Sequence, residues 1–420
     1  MSIDFRPTAD QVELRTMARR VADQVLRPLV RELDALTDPW ECFQRTRPAV
    51  AKLAELGFLS SSIPTEYGGG GMGCLDLALA AEELCVVDVG VPSTVLASGL
   101  GLQPIITHGT ASQKERFLRP FAADKSGDLL ASFAFTDQGG GANFDSDDPA
   151  AGVRTVARRE GDFYVVNGVK HFASNGSGWD RKGAHLYTVV ARTDLSRGAR
   201  ESLSVIAVPG SAPGIRVGTI ENKLGHRLTV QPEVIFEDVR VPADHRIGAE
   251  GDGIEIVKRA FGWTAALIGA ACVGVMRAAF EHALDFARSE RRLGSVPILD
   301  HQAVGYALAD IKMRIEACRY LTWRACAYVD AHGEGQEVAV MTKVFCSETA
   351  VQCVYDAMRV VGIESYVKDH PLERHLRDAV CFPLYDGGNM GVRRRQLHEI
   401  LRTPGYDSMI VAEDRELALE

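Results

Sequence analysis

The chain has 420 residues, of which 46% are hydrophobic, 25% charged and only 17 proline, enough for two or three domains at ~150 residues each. This composition excludes a disordered or collagen-like chain and leaves an ordinary globular protein with a sizeable core. Lys and Arg number 47 against 56 Asp and Glu, a net charge of −9, so the surface as a whole is no electrostatic partner for nucleic acid or an anionic membrane; phosphate-bearing ligands have to be met by local cations.

The start, Met1-Ser-Ile-Asp-Phe-Arg6, lacks a basic region followed by an apolar one, so no leader is expected. Thr8-Ala-Asp-Gln11 reads as a capping box, in which the Thr hydroxyl and Gln amide meet free backbone donors, and helical patterning continues to about Gly127. It is interrupted by Ile63-Pro-Thr-Glu-Tyr-Gly-Gly-Gly-Gly-Met-Gly73. The glycines formally allow a phosphate cradle, but no strand precedes them and no Gly-Lys-Ser/Thr follows, so a loop between helices is expected.

From Leu129 to about Gly248 the period becomes that of strands. Asn167-Gly168, between apolar runs in Phe163-Tyr-Val-Val-Asn-Gly-Val-Lys-His-Phe172, predicts a hairpin turn. Leu186 to Ala191, Leu203 to Val208 and Val234 to Val241 follow as strands, giving a small antiparallel β-domain. After Gly253 helices return. The longest uncharged apolar run, Thr264 to Met276, falls short of the ~18 residues of a membrane span and reads as a buried helix. Leu308, Ile311, Ile315, Cys318 and Leu321 share one helical face, as a four-helix bundle requires. The expected organisation is α+β: helical residues 1–128, a β-domain at 129–248 and a helical bundle at 249–420.

The nine cysteines (Cys42, Cys74, Cys85, Cys272, Cys318, Cys326, Cys346, Cys353 and Cys381) are odd in number, scattered and without Cys-x-x-Cys or zinc spacing. Reduced thiols, a cytoplasmic location and no metal site are expected.

Pro64-Thr-Glu-Tyr-Gly-Gly69, Ala134-Phe-Thr-Asp-Gln-Gly139, Gly168-Val-Lys-His-Phe-Ala-Ser-Asn175, Phe236-Glu-Asp-Val-Arg-Val-Pro242, Asp300-His-Gln-Ala303 and Pro371-Leu-Glu-Arg-His-Leu-Arg-Asp378 stand in the order seen in the acyl-CoA dehydrogenase superfamily. The chain resembles that superfamily over nearly its whole length. The resemblance implies an N-terminal helical domain, a middle β-barrel or sandwich and a C-terminal four-helix bundle. It also implies bound FAD and a homotetramer in which a neighbouring subunit contributes to the dinucleotide site.

Typical members carry Tyr-Glu-Gly-Thr where this chain has Tyr385-Asp-Gly-Gly388, and their Glu takes the α-proton of an acyl thioester. Here Asp386-Gly-Gly-Asn389, followed by Arg393-Arg-Arg-Gln396, is similar to the nitroalkane oxidase branch, whose base is an Asp. Phe43-Gln-Arg-Thr-Arg-Pro48 and Ser174-Asn-Gly-Ser-Gly-Trp-Asp-Arg-Lys-Gly183 agree with that branch. The shorter side chain withdraws the carboxylate by one bond, about 1.5 Å, which implies a different substrate or pose.

The chemistry has its own demands. A carbon acid is deprotonated only by a carboxylate held against the carbon, with the product anion stabilised nearby. Asp386 is the expected base, and Gly387 and Gly388 allow close approach of a flat ring. Arg393 matches the arginine that stands beside the catalytic Asp of that branch, and the resemblance implies that its guanidinium keeps Asp386 ionised and attracts an anion; Arg394 and Arg395 read as a surface or interface cluster. Thr264 matches an active-site serine of that branch, and Trp263 is a candidate for the substrate cavity. The resemblance assigns flavin contacts to Phe133, Ala134, Phe135 and Thr136, to Phe172, Ala173 and Ser174, and to Leu384, Tyr385, Gly387 and Gly388. For the pyrophosphate and adenosine it implies Arg292, with Arg291 as a rival, His301, Gln302 and Gly362, although Ile363 replaces a second glycine.

The function implied is an FAD-dependent oxidation of a nitroalkane by molecular oxygen to an aldehyde or ketone, nitrite and hydrogen peroxide. Two alternatives stand beside it: desaturation of an acyl thioester by Asp in place of Glu, and a flavin-binding scaffold or specialised monooxygenase.

Overall fold

The computed structural model describes residues 5–333 and 335–415; the Met1 to Asp4 part of the expected leaderless start lies outside them. The Thr8 capping box is formed, with Gln11 N–H donating to the Thr8 hydroxyl at 3.2 Å and Thr8 N–H to the Gln11 side chain at 3.0 Å. It starts α1 (Ala9–Val21), which passes through a π-helical turn into α2 (Arg27–Asp34). α3 (Pro39–Gln44), α4 (Arg47–Glu55), α5 (Cys74–Cys85), α6 (Gly90–His108) and α7 (Ala111–Ala123) complete the first helical layer. The Ile63 to Gly73 stretch is the expected loop, with one short 3-10 turn at Thr65–Tyr67.

The sheet contains β1 (Ala131–Ala134), β2 (Val156–Glu160), β3 (Phe163–Lys170) and β4 (Leu186–Arg192). After the short α8 (Ala199–Ser202) follow β5 (Leu203–Pro209), β6 (Ile215–Ile220), β7 (Pro232–Pro242) and β8 (Arg246–Ile247). Their order is β6-β7-β3-β2-β4-β5-β8, with β1 on β4. Two features differ from the sequence expectation. The sheet is mixed: β1 runs parallel to β4, and β2 touches β4 in parallel at one pair. The intervening loop and the β2–β3 hairpin supply the long crossover that parallel pairing needs.

Asn167-Gly168 is also not a hairpin turn. It lies inside β3 at a bulge opposite β7, where Asn167 Nδ2 donates to Asp238 at 3.0 Å and Asp238 N–H returns a bond at 2.9 Å. A Cβ on Gly168 would fall 2.4 Å from Thr155 Oγ1, so close strand packing, not a turn, requires the glycine. The hairpin turns at Gly161-Asp162, between the paired Glu160 and Phe163.

Four further helices build the last layer: α9 (Gly253–Ser289), α10 (Gln302–His332), α11 (Gln336–Val361) and α12 (Pro371–Cys381); α13 (Arg394–Leu401) follows. α9 is long and apolar enough to cross a membrane, but 83% of its most apolar window is buried against the protein's own residues, as the buried-helix reading of Thr264 to Met276 requires. The expected face of α10 is buried at Leu308, Ile311, Ile315 and Cys318, packed with Cys346, Ala350 and Val354 of α11 and Leu372 and Ala379 of α12. α5 packs on α9 from the N-terminal side, so the first and last helical layers share a boundary. All nine cysteines are free thiols.

Candidate active site

Beyond α12 the chain folds back in a tight turn. Leu384 N–H donates to Cys381 O at 3.0 Å, Gly388 N–H to Tyr385 O at 3.1 Å and Asn389 N–H to Pro383 O at 2.9 Å. Asp386, Gly387 and Gly388 take consecutive φ values of 50°, 89° and 56°. Asp tolerates this left-handed region better than most residues, and such strained backbone concentrates at functional sites. A π-helical turn, Gly388–Arg393, then widens the helix before α13.

That geometry returns Arg393 to Asp386. The Arg393 guanidinium donates Nη2–H to Asp386 Oδ2 at 2.6 Å and Nε–H to the Asp386 carbonyl at 2.7 Å. Its remaining bonds go to Phe261 O at 3.3 Å and Gln396 Oε1 at 3.2 Å, and it lies 5.6 Å from the Phe261 ring centroid. The pair is dry: the side chains are 2% and 5% exposed. Gly387 makes this possible, because a Cβ there would sit 2.9 Å from Arg393 Nε. The space expected for a ring at Gly387 is therefore taken by the guanidinium; at Gly388 an added Cβ would meet nothing within 4 Å. From α9, the Thr264 hydroxyl donates to Asp386 Oδ1 at 2.7 Å. Each carboxylate oxygen thus has one side-chain donor and keeps a lone pair, so the group can accept a proton without first breaking its clamp.

Phe261, one turn before Thr264, joins this cluster to the sheet. Its ring meets Phe133 and Phe135 edge-on at 5.4 and 5.0 Å. Phe133, Ala134 and Phe135 are buried, so their side chains are core. Thr136 remains half-buried, and its carbonyl accepts from His171 N–H at 2.7 Å. Two motifs are pinned together here. Buried Lys170 donates to Phe135 O at 2.8 Å and to Asp137 Oδ1 at 2.6 Å, and this ion pair with the Thr155 donors holds the Asp137 carboxyl below its usual range against the opposing effect of burial.

Next to them Phe172 is 56% exposed at φ 53°, the reverse of a core phenylalanine. Ala173 is buried, and the Ser174 hydroxyl accepts from Gln231 at 3.3 Å. Leu384 is 75% exposed, while Tyr385 turns inward against His226, with centroids 5.3 Å apart. Trp263 lines an apolar pocket with Ser61, Ser62, Leu77, Leu96 and Gly99.

Arg292 and Gly362 adjoin each other, and no hydrogen bond or ion pair among the described residues ties them, His301 or Gln302 to Asp386. Arg292 bonds the carbonyl of Val361 and pairs with Glu364 at 3.1 Å, beside Gly362, whereas Arg291 bonds Ser295 O in its own loop. His301 and Gln302 open α10 and are exposed. Arg394 pairs with Glu348 at the surface, as expected, and Arg395 with the buried Asp145. The two further branch-like runs meet each other: Phe43 stacks on Trp179 with centroids 4.5 Å apart.

These surfaces suit a flavin. An exposed aromatic ring at Phe172, an exposed Leu384 and open space at Gly388 can border a flat ring, Thr136 offers a hydroxyl to its polar edge, and Arg292, 41% exposed, offers a guanidinium to a pyrophosphate. Sequence reasoning missed Phe261, Lys170 and Asn389 as parts of the site. Phe261 was accessible in principle, three residues from Thr264 on one helical face.

Matches to known proteins define the class. The acyl-CoA dehydrogenase N-terminal domain matches residues 8–125, the middle domain residues 132–239 and the C-terminal domain residues 251–401. The chain belongs to the acyl-CoA dehydrogenase family. Within it, the chain is 34% identical to nitroalkane oxidase of Fusarium oxysporum, covering 96% of each chain. It is 37% identical to nitroalkane oxidase of Podospora anserina, over 97% of this chain and 98% of the relative. A solved nitroalkane oxidase, an active-site mutant crystallized with 1-nitrooctane, superposes with a TM-score of 0.93 at 33% identity, covering 98% of this chain and all of the other.

Proposed function

We propose that this protein is an FAD-dependent oxidase of nitroalkanes, with Asp386 as the base. The observation that carries this is the buried Asp386 carboxylate, clamped by Arg393 and Thr264 beside the open Gly388. Asp386 removes the α-proton; Arg393 and the Thr264 hydroxyl hold the carboxylate in line and remain as donors when the negative charge passes to the substrate. The burial of the pair excludes water, which strengthens both interactions. A bound flavin would supply the acceptor for the electron pair, and Thr136, Phe172, Ser174, Leu384 and Gly388 would border it. Arg292, with His301, Gln302 and Gly362, would hold the pyrophosphate and adenosine parts. The stoichiometry is one primary nitroalkane, one oxygen and one water to one aldehyde, nitrous acid and hydrogen peroxide; a secondary nitroalkane gives a ketone.

The assembly proposed with it is the one the resemblance implies, a homotetramer in which a neighbouring subunit contributes to the dinucleotide site; light scattering tests the oligomeric state. The nine free thiols support a reducing, cytoplasmic location.

The deciding experiment is anaerobic: bleaching of the bound flavin by nitroethane and by short acyl-CoAs, with nitrite assayed afterwards, for wild type and Asp386→Asn. Bleaching by nitroethane with nitrite release, lost in Asp386→Asn at unchanged FAD content, supports the proposal. Bleaching by acyl-CoA alone replaces it with thioester desaturation, and bleaching by neither leaves a scaffold or monooxygenase.

A further inference from the structure

Next to the Asp386 turn lies a second buried cation. Lys343 of α11 is fully buried, and its ammonium donates to Asn389 Oδ1 at 2.7 Å. It has no carboxylate within ion-pair distance among the described residues, in contrast to Lys170, the other fully buried lysine, which sits on Asp137 at 2.6 Å. A buried charge without a direct counter-ion is unfavourable, and burial pushes the Lys343 ammonium down to about 8. The charged and titratable groups facing it are Asp386, which opposes that shift most, Arg393, which adds to it, Cys272 of α9, and Glu348 on its own helix.

Asn389 is engaged on every side. Beside the Lys343 bond and its own N–H bond to Pro383, its side-chain amide donates to Ser347 Oγ at 3.0 Å and Glu348 Oε1 at 3.1 Å. One amide thereby fastens the segment that carries Asp386 to α11.

We infer that Lys343 and Asn389 are a positioning pair for the base: Asn389 fixes the Asp386 turn against α11, and the Lys343 ammonium adds a positive charge that Arg393 alone does not provide. Before reaction the Arg393 charge is matched by Asp386, and Lys343 leaves the site one positive charge in excess. When the α-proton passes from carbon to an Asp386 oxygen, the negative charge moves to the substrate and both cations remain to hold it. This inference rests on the reading of Asp386 as the base.

The test uses the FAD-loaded enzyme and the variants Lys343→Met, Lys343→Gln, which keeps a donor for Asn389 but not the charge, Asn389→Ala and Asp386→Asn. With neutral nitroethane, both Lys343 variants should lose roughly tenfold in kcat/KM and move the acid limb of its pH profile upward by about one unit. Asn389→Ala should lower kcat, with a full deuterium isotope effect on α-deuterated substrate. Independently of turnover, the infrared band of the protonated Asp386 carboxyl, identified by its absence in Asp386→Asn, should persist to higher pH in Lys343→Gln. A lower melting temperature in Lys343→Gln with limb, band and kcat/KM within about twofold of wild type would overturn the inference and leave Lys343 a structural residue. Retained bleaching in Asp386→Asn overturns the base assignment itself; lost bleaching there with an unmoved limb in Lys343→Gln overturns only the positioning pair.

Discussion

Removing the guanidinium in Arg393→Met has a consequence that follows from the four hydrogen bonds it makes. Two go to Asp386, and the carboxylate is 5% exposed; after the substitution the Thr264 hydroxyl is its one remaining side-chain hydrogen-bond donor among the described residues. Breaking a buried pair from one side costs about 3–5 kcal/mol, because a buried charge is left without its partner. At about 1.4 kcal/mol per tenfold in rate, the lower bound corresponds to about a hundredfold, so anaerobic bleaching of the flavin by a neutral nitroalkane should slow by about that factor in Arg393→Met. Arg393→Lys, which restores charge without the fork, should recover part of the loss. Anaerobic stopped-flow bleaching measures the rate. An Arg393→Met enzyme with normal FAD content that bleaches within about threefold of wild type would refute the account of Arg393 as the partner that holds the Asp386 carboxylate.

Thr264→Val removes a charge-assisted hydrogen bond worth about 1.5–3 kcal/mol while nearly keeping shape, so kcat/KM should fall roughly ten- to hundredfold at unchanged FAD content; a loss under threefold assigns the hydroxyl no role. Asp386→Glu advances the carboxylate by about 1.5 Å into a clamp already closed at 2.6 and 2.7 Å, and bleaching by nitroethane should slow at least tenfold. Gly387→Ala should act like a partial Arg393 deletion, since its Cβ would lie 2.9 Å from Nε; unchanged turnover would contradict the close approach. Asp88 provides a pH test away from the site: burial, against the opposing Arg374 charge, pushes its carboxyl up to about 6. The native state then binds the proton more tightly than the unfolded chain, so this group's contribution to stability falls as pH rises from about 4 to about 6. Urea midpoints at pH 4.5 and 7.5 should differ less in Asp88→Asn than in wild type, and an identical difference would remove Asp88 as the cause.

The parts of this structure written in local pattern were readable. The Thr8 capping box, the Leu308 to Cys318 face and the helix, sheet, helix order follow from periodicity and from side chains a few residues apart. Asp386 and Arg393, seven residues apart, were paired by resemblance, and the π-helical turn between them supplies the physical reason. Asn167-Gly168 failed as a turn because its local preference is outweighed by pairing with β7, 64 or more residues further on in sequence, and by the Thr155 contact. Lys343 and Asn389 carry no local signal: a single buried lysine in an apolar helix looks like an exposed one until the chain 46 residues later returns to it. The exposure of Phe172 is likewise invisible to periodicity, which does not register that its backbone turns to φ 53°.

The base proposed here, an aspartate, is shorter than a glutamate and makes a stronger demand on its surroundings. A glutamate has an extra methylene whose rotation can bring the carboxylate to the substrate carbon; Asp386 lacks that reach, so the backbone has to place it. The left-handed Asp386-Gly387-Gly388 run, the Arg393 fork and the Thr264 hydroxyl together do so, because Oδ2 is fixed by one, Oδ1 by the other, and the carbonyl of the same residue by Arg393 Nε. With both oxygens held, rotation about the side chain is the freedom given up, and the entropy lost in the folded protein is not lost again when substrate arrives. The same clamp explains why Gly387 cannot be exchanged independently of Arg393, and why the Asp, the glycine and the arginine act as one unit.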